Sequence, residues 1–143
     1  MNTNTLPPRL QDSTIFLVVR LMKEGYRQAN AQFKDEKLRL MHYATTAYIA
    51  HYEGISQKAL SETLLMDPSD IGAIVQDLER AGYVARQPDA SDRRRLSLKI
   101  TAAGEVWLQK RDIGARMFEA DFLNKLDAKE RTAFRALLMS MLK

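Results

Sequence analysis

The stretch DASDRRRLSLKI, residues 89–100, decides which fold the sequence predicts. Three consecutive arginines follow two aspartates, and apolar and polar residues then alternate. The alternation predicts a strand over residues 95–100, because Leu96, Leu98 and Ile100 would share one face and polar side chains the other. The stretch therefore predicts the second half of a β-hairpin whose tip carries a concentrated positive charge.

A short helix, a tight turn and a second helix are predicted upstream of the hairpin. Ser56 is a suitable N-cap for a helix that covers residues 57–64. In the sequence DPSD, Asp67 suits the N-cap position, Pro68 the first helical position, and Asp70 the third, where its charge favours the helix N-terminus. The apolar stripe of this second helix consists of Ile71, Ile74, Val75 and Leu78.

The first strand of the hairpin follows directly. Gly82 is well placed to end the second helix in the left-handed conformation, and residues 83–86 predict a strand. The link between the two strands contains neither Asn-Gly nor Asp-Gly, so it is longer than a two-residue turn. Short helix, turn, helix and hairpin in this order are typical of a winged helix-turn-helix, in which the second helix enters the DNA major groove.

Amphipathic helices are predicted before this lobe. Residues 1–11 are polar, contain two prolines and predict an extended arm. A long helix that reaches Phe33 follows. The suitable N-caps for it are Asp12, Ser13 and Thr14. A second helix is predicted over residues 37–51, with Gly54 at its end.

Further helices are predicted after the hairpin, where Thr101 opens one and Asp127 with Glu130 forms a capping box for another. One protomer cannot bury the apolar stripes at both ends of the chain, which favours an obligate dimer. The predicted fold is mostly α with a small β-hairpin: a winged helix-turn-helix with N- and C-terminal dimerisation helices. The predicted division is an arm and dimerisation helix at 1–36, a DNA-binding lobe at 37–100 and C-terminal dimerisation helices at 101–143.

The composition excludes several classes of protein. The chain has 143 residues, of which 45% are apolar and 28% charged, and its net charge of +4 suits an anionic partner. It contains no cysteine, which excludes disulfides, thiolate metal sites and thiol-based redox sensing. No apolar run approaches the ~20 residues needed to cross a bilayer, and the N-terminus lacks the pattern of a secretory signal. We therefore expect a cytoplasmic protein without membrane contact.

The charge of the hairpin tip has two interpretations. Between residues 86 and 99 the net charge is +3, and adjacent like charges are tolerated where water screens them or a polyanion neutralises them. Alone, a run of three arginines is more typical of a solvated tip. Directly after a helix-turn-helix pattern it favours contact with DNA, because arginine suits a narrow, negative minor groove. Asp92 lies two residues from Arg94 and is placed to pair with it.

From Leu78 to Gly104 the sequence LERAGYVARQPDASDRRRLSLKITAAG resembles the MarR family of bacterial transcription regulators. The resemblance extends over nearly the whole chain, from about residue 16 to residue 142. The family pattern combines a Leu-Glu pair, a glycine that ends the recognition helix, an arginine in the first strand, an Asp-x-Arg element in the wing and a Leu/Ile-Thr pair before the next helix. The matching residues are Leu78, Glu79, Gly82, Arg86, Asp92, Arg94, Ile100, Thr101 and Gly104.

The resemblance implies a homodimer whose terminal helices interlock and whose two winged helices bind the halves of a pseudo-palindromic operator in double-stranded DNA. It implies that Arg94 enters the minor groove, braced by Asp92. It also implies a regulator, often a repressor, that releases DNA when a small aromatic or phenolic effector binds between the dimer helices and the DNA-binding lobe. We expect neither a cofactor nor a metal. The predicted DNA-binding residues are Ser56, Gln57, Ser69, Asp70, Ala73, Gln76, Arg86, Asp92, Arg93, Arg94 and Arg95.

The recognition helix departs from the family pattern in two places. The turn before it carries Leu65-Met66 where glycine is common, and its middle carries Gly72 and Ala73 where a polar residue or arginine is common. Asp70 would either accept a hydrogen bond from a cytosine amino group or serve only as a capping residue. The residues that remain for base reading are Ser69, Asp70 and Gln76.

The predicted effector cleft involves Arg20, His42 and Tyr43, of which the arginine would meet an acidic ligand. His42 and His51 lie nine residues apart, so they do not share a helix face as a metal-binding pair would. Two other functions remain open: a winged-helix module that binds protein instead of DNA, and a small helical enzyme. The enzyme is disfavoured because the sequence has no nucleophile elbow, phosphate-binding glycine loop or metal-ligand spacing. A wing that binds protein would not need arginine at residues 93–95.

Overall fold

A computed structural model describes residues 6–33 and 37–143 of the chain. Its order of elements confirms the predicted fold class, because helices surround one antiparallel hairpin that directly follows a helix-turn-helix. The elements are α1 (Pro8–Gln11), α2 (Thr14–Ala31), α3 (Leu40–His51), α4 (Gln57–Leu64), α5 (Pro68–Arg80), β1 (Val84–Pro88), β2 (Leu96–Ile100), α6 (Ala102–Phe122) and α7 (Ala128–Met141).

The N-terminal segment differs from the predicted extended arm. Pro8 begins the four-residue helix α1, because proline suits the first turn of a helix, where its missing N–H has no partner to lose. The first five residues of the predicted arm lie outside the described part of the chain. The long helix α2 begins after Ser13, whose hydroxyl accepts the backbone N–H of Phe16 at 3.3 Å. Ser13 is therefore the N-cap among the three predicted candidates.

Helix α3 begins at Leu40, later than predicted. The cause is a side-chain cap: His42 Nδ1 accepts the backbone N–H of Arg39 at 3.0 Å, so Arg39 is the last residue before the helix. Gly54 has a φ of +82° and follows the end of the helix, as predicted. The predicted boundary after residue 36 falls outside the described residues.

The core of the lobe lies between α3, α4, α5 and the hairpin. All four residues of the predicted stripe of α5 are buried. They pack in one apolar cluster with Ile49 of α3, Leu60 of α4 and Leu98 of β2. Because each element contributes its apolar side chains to this one cluster, the core holds α5 and the hairpin in a fixed relation.

The hairpin pairs Val84 with Ile100 at its base and Pro88 with Leu96 near its tip. The predicted apolar face of β2 is correct for Leu98, which is buried, and wrong for Leu96, which is 54% exposed. The reason is that Leu96 lies opposite Pro88, beyond the core. Ser97 was expected to face solvent and is buried instead.

A second backbone pairing explains the burial of Ser97. The N–H of Gly54 donates to the carbonyl of Leu98 at 3.2 Å, and the N–H of Leu98 donates to the carbonyl of Ile55 at 3.0 Å. Residues 54–55 therefore lie along the free edge of β2. The Cβ of Ser97 is 4.0 Å from the position that a Cβ on Gly54 would occupy.

Thr101 joins the hairpin to α6. Its hydroxyl donates to the carbonyl of Gly82 at 2.6 Å and accepts the N–H of Gly104 at 3.0 Å, so it caps α6 as predicted. Tyr83 stacks on the buried Trp107, with ring centroids 5.1 Å apart. These contacts attach the base of the wing to the first turns of the long C-terminal helix.

The terminal helices present many apolar side chains to solvent. The predicted capping box of α7 is formed, because Asp127 accepts the N–H of Glu130 and the side chain of Glu130 accepts the N–H of Asp127. Within residues 6–33 and 37–143, no helix is both long and apolar enough to cross a membrane. The exposed large apolar residues of α2, α6 and α7 are Ile15, Leu17, Val18, Val19, Leu21, Met22, Tyr26, Val106, Ile113, Met117, Leu137, Leu138, Met139 and Met141.

Candidate nucleic-acid interface

The exposed face of α5 lies opposite its buried stripe. With about 3.6 residues per turn, Ser69, Ala73 and Gln76 share this face, and all three are exposed. Asp70 lies on one flank of the face, on the same side as Asp77. The structure thus brings the predicted base-reading residues together, and their contact with DNA stays a prediction.

The N-terminus of α5 is capped by Asp67. One oxygen of its carboxylate accepts the hydroxyl of Ser69 at 2.6 Å and the backbone N–H of Ser69 at 2.8 Å. The Ser69 hydroxyl, followed by the backbone N–H, lowers the pKa of Asp67 from its ordinary value. Asp67 therefore supplies the side-chain cap, and Asp70 adds a favourable negative charge in the first turn. The contact of Asp70 with cytosine stays a prediction.

Gln57 of α4 lies against the middle of α5. A Cβ on Gly72 would come within 3.1 Å of its Nε2 atom, so the glycine leaves room for this amide. Ser56, the residue before it, caps α4 by accepting the N–H of Ala59 at 3.1 Å. The predicted pair of residues 56 and 57 is thus placed at the N-terminus of α4, beside the recognition helix.

The base of the wing is bound to α5 by an ion pair. Arg86 Nε donates to Glu79 Oε2 at 3.0 Å, and both side chains are about one-third exposed. Both residues belong to the family pattern recognised in the sequence, although their contact was not predicted. The pair links β1 to the last turns of the recognition helix.

Two aspartates hold the loop of the wing. Asp89 Oδ1 accepts the hydroxyl of Ser91, the N–H of Ser91 at 2.8 Å and the N–H of Asp92 at 3.1 Å. These hydrogen bonds, with that of the Ser91 hydroxyl the largest, lower the pKa of Asp89. Asp92 Oδ1 accepts the backbone N–H of Arg94 at 3.0 Å, whereas its other oxygen lies 3.7 Å from Nε of Arg95.

The expected side-chain pair between Asp92 and Arg94 is therefore corrected. Asp92 fixes the backbone of Arg94 and pairs with the side chain of Arg95, because the backbone N–H of Arg95 donates to the carbonyl of Asp92 at 2.9 Å and closes a turn between them. Lys99 is paired as well, with Glu53 at 3.0 Å. Among the described residues, Arg93 and Arg94 form no ion pair, and both are exposed. The uncompensated positive charge of the wing is thus concentrated at its tip.

A cavity of about 430 Å³ lies between α2, the start of α3, α6 and α7. Its walls are almost entirely apolar, and Arg111 and Tyr43 are its main polar residues. The guanidinium of Arg111 lies over the ring of Phe33, 4.9 Å from its centroid. Tyr43 donates its hydroxyl to Asp112 at 2.8 Å, and burial, together with this carboxylate, raises the pKa of Tyr43 to about 12.

The predicted effector residues are only partly brought together. Tyr43 lines the cavity, whereas Arg20 and His42 are not among its lining residues. His42 is buried and has both ring nitrogens engaged, one by Arg39 and the other by Asp77 of α5. Sequence analysis missed Arg111, Asp112 and Asp77 because these partners lie far along the chain from α3, where no spacing rule connects them.

The fold and the site define a winged helix-turn-helix protein with a cationic wing and a separate apolar cavity. The MarR family model matches residues 38–95, from just before α3 to the wing. The transcriptional regulator HosA of Escherichia coli O127:H6 is 29% identical over 123 residues, which are 85% of this chain and 91% of that protein. The transcriptional repressor NicR of Pseudomonas putida is 27% identical over 129 residues, 87% of this chain and 82% of its own.

Solved structures show the same fold. Bordetella bronchiseptica BpsR, whose DNA binding is regulated by 6-hydroxynicotinic acid, superposes with a TM-score of 0.84 at 17% identity, over 96% of this chain and 99% of its own. Staphylococcus aureus MepR in its complex with DNA superposes with a TM-score of 0.74 at 19% identity, over 92% of this chain and 96% of its own. The chain is thus similar in sequence to MarR-family transcriptional regulators, and its winged-helix lobe matches the family model.

Proposed function

We propose that this protein is a repressor that binds double-stranded operator DNA and is released by a small aromatic acid. The observation that carries the proposal is the arrangement of Arg93 and Arg94, exposed and free of ion pairs among the described residues, at a wing fixed to the recognition helix. Such a wing places cations against phosphates or in a minor groove while α5 lies in the adjacent major groove. MepR, of the same fold, was solved with DNA, and the related NicR is a repressor. In this proposal the protein acts by binding DNA and not as an enzyme, and it is located in the cytoplasm.

The proposed DNA-binding residues divide into three groups. Ser56, Gln57 and Arg86 position the lobe on the backbone of the duplex, while Asp92 and Arg95 shape the wing that presents residues 93–94. The base-reading residues are Ser69, Asp70 and Gln76, and Ala73 lies on the same exposed face of α5. Contacts with the backbone of the duplex carry affinity and salt dependence, and contacts with base edges carry sequence preference.

A homodimer completes the proposed unit. Many large apolar side chains of α2, α6 and α7 are exposed, and extensive exposed apolar surface is typical of an interaction site. Covering them by a second copy leaves the lobe of residues 37–100 free on each protomer. Two recognition helices related by a two-fold axis would then read half-sites roughly 34–36 Å apart, which corresponds to a pseudo-palindromic operator.

The test of DNA binding is selection of duplexes by the purified protein, followed by titration at several salt concentrations. Arg94→Ala should weaken binding to the selected duplex and flatten the dependence of log K on log salt by about one unit, because one phosphate-neutralising cation is lost. Lys125→Ala is the matched control: it removes an exposed cation beyond the far end of α6 and should leave the slope unchanged. If log K depends on log salt with the same slope in both variants, the wing does not contact DNA as proposed.

The effector is proposed to bind in the apolar cavity. An aromatic ring fits its walls, and Arg111 offers a cation for a carboxylate. The test is a titration of the protein–duplex complex with 6-hydroxynicotinate and with salicylate. Release of the duplex by either acid, diminished by Arg111→Met, supports the proposal. If neither acid releases the duplex, the protein is a DNA-binding regulator without an aromatic-acid effector of this class.

A further inference from the structure

His42 connects two parts of the molecule through its two ring nitrogens. Nδ1 accepts the backbone N–H of Arg39 at 3.0 Å, so this nitrogen carries no proton. The proton of the neutral ring is therefore on Nε2, which donates to Asp77 Oδ2 at 3.0 Å. The His42 side chain is only 9% exposed, so water does not compete readily for either bond. The N-cap of α3 thus determines which nitrogen of His42 points to α5.

The partner on α5 lies close to the DNA-reading face. Asp77 directly follows Gln76, and its side chain is 39% exposed. Its second oxygen lies 3.5 Å from Arg80 Nη1, one turn further along α5. The imidazole therefore holds the flank of the recognition helix at the level of its base-reading residues.

The other end of the connection is the rim of the cavity. Leu40 and Tyr43, in the first turn of α3, line the cavity on either side of His42 in the sequence. The backbone N–H of Leu40 donates to Asn30 Oδ1 of α2 at 2.9 Å. The turn that His42 caps is consequently the place where α2, the cavity and the DNA-binding lobe meet.

We propose that His42 is a positioning residue that ties the recognition helix to the rim of the cavity through Asp77. Any displacement of the first turn of α3 then moves the imidazole and, with it, the flank of α5. This inference rests on the proposed function for its consequence in DNA binding, whereas the mechanical link is a property of the free protein. The role differs from the one expected for this histidine, which was direct contact with an effector.

Two conservative substitutions of His42 each remove one of its two hydrogen bonds, the one with Arg39 or the one with Asp77. The amide oxygen of asparagine occupies about the position of Nδ1, so His42→Asn keeps the cap of α3 and removes the donor to Asp77. The amide nitrogen of glutamine reaches about the position of Nε2, so His42→Gln keeps a donor to Asp77 and removes the cap. Asp77→Ala removes the acceptor, and Asp77→Asn keeps an oxygen that can accept.

The first readout is hydrogen exchange of the backbone amides of α5 in the free protein. His42→Asn and Asp77→Ala should each speed exchange in α5 by about tenfold, the effect of losing one hydrogen bond to a charged group, while α4 exchanges as before. The double variant should be no faster than either single variant. Asp77→Asn should stay close to the wild type. Unchanged exchange in α5 of His42→Asn would overturn the proposal whether or not the protein binds DNA.

The second readout tests whether the rim of the cavity is coupled to α5 through His42 or whether the variants merely lose packing. Leu40→Ala disturbs the rim, and it should speed exchange in α5 of the wild-type protein but add nothing in the His42→Asn background. Additive effects in the two backgrounds would show that the rim and the recognition helix are not coupled through this ring.

The third readout is binding of the selected duplex. His42→Asn should raise its Kd about tenfold and leave binding to a scrambled duplex within twofold, whereas His42→Gln should retain the preference for the selected duplex. A wild-type protein that binds neither duplex contradicts the proposed function alone, because the exchange result still decides the role of His42. Equal loss on both duplexes would contradict a positioning role.

Discussion

Asp89 and Asp92 act mainly on the backbone of the wing. Asp89 receives two N–H groups and a hydroxyl, and Asp92 receives the N–H of Arg94. Their main effect is to set the direction in which Arg93 and Arg94 leave the loop, and Asp92 also pairs with Arg95 at 3.7 Å. The acidic residues in DASDRRR are therefore compatible with a tip that binds an anion.

This role predicts a pH dependence of the wing. The pKa of Asp89 is below its ordinary 3.8 because the ionised carboxylate accepts these hydrogen bonds. A lowered pKa means that the stabilisation is fully present above 3.8 and is lost as the pH falls through the lowered value. A carboxyl ¹³C titration should give a midpoint below 3.8, and Ser91→Ala should raise it. A midpoint at 3.8 in both proteins would contradict the hydrogen-bonded loop.

Leu65 adopts an unfavourable left-handed backbone conformation in the turn of the helix-turn-helix. It has a φ of +51° and is 93% exposed. The left-handed conformation costs a residue with a Cβ roughly 1–2 kcal/mol, and the extra flexibility of unfolded glycine costs about 0.5–1 kcal/mol. Leu65→Gly should therefore stabilise the fold by about 0.5–1 kcal/mol, seen as a higher Tm. Leu65→Val, a β-branched control, should lower the Tm, and the reverse order would show that the turn is not strained.

At the scale of elements, the junction of the wing and α6 depends on the absence of a side chain at residue 104. A Cβ there would lie 2.1 Å from the carbonyl oxygen of Tyr83 and 2.8 Å from Cγ1 of Ile100. The start of α6 therefore packs directly on the backbone that precedes β1. This contact explains why a glycine stands in the first turn of a long helix, where alanine has the higher propensity.

Gly104→Ala should destabilise the fold by about 3 kcal/mol, the upper part of the usual range for overpacking. Gly114→Ala is the matched control in the same helix, because a Cβ there meets nothing within 4 Å; it should be neutral or stabilising by up to about 1 kcal/mol. Urea unfolding of the three proteins measures both values. Similar stability of the two variants would contradict the close packing of α6 on the backbone of Tyr83.

The elements that sequence analysis predicted well are those whose signals are local. Ser56, Asp67, Thr101 and Asp127 each cap the helix that follows within three residues, so spacing alone identifies them. The burial of Ser97 was missed because it depends on the pairing of β2 with residues 54–55. The contacts of His42 and Tyr43 were missed for the same reason, since their partners lie 35 and 69 residues away.

At the scale of the whole molecule, the surfaces have separate tasks. The lobe carries the arginines of the wing tip, unpaired among the described residues, and the exposed face of α5, whereas α2, α6 and α7 carry exposed apolar side chains. The cavity lies where these two parts meet, beside the helix start that His42 caps. A ligand in the cavity is therefore well placed to alter how the lobes are held relative to the terminal helices.

The composition predicted an anionic partner only weakly, because a net charge of +4 is modest for 143 residues. The structure adds the distribution of that charge. Ion pairs within the lobe compensate Arg86, Arg95 and Lys99 and leave the tip of the wing positive. This distribution depends on contacts across the fold, so a count of charges along the chain does not show it.

The most direct test is the stoichiometry of the complex with a selected duplex, measured by sedimentation at low ionic strength. We predict a stable dimer in the free protein and two protomers on one duplex, with protected half-sites about one helical turn apart. A lone protomer in solution, or a protein that fails to bind double-stranded DNA even at low salt, would contradict the account.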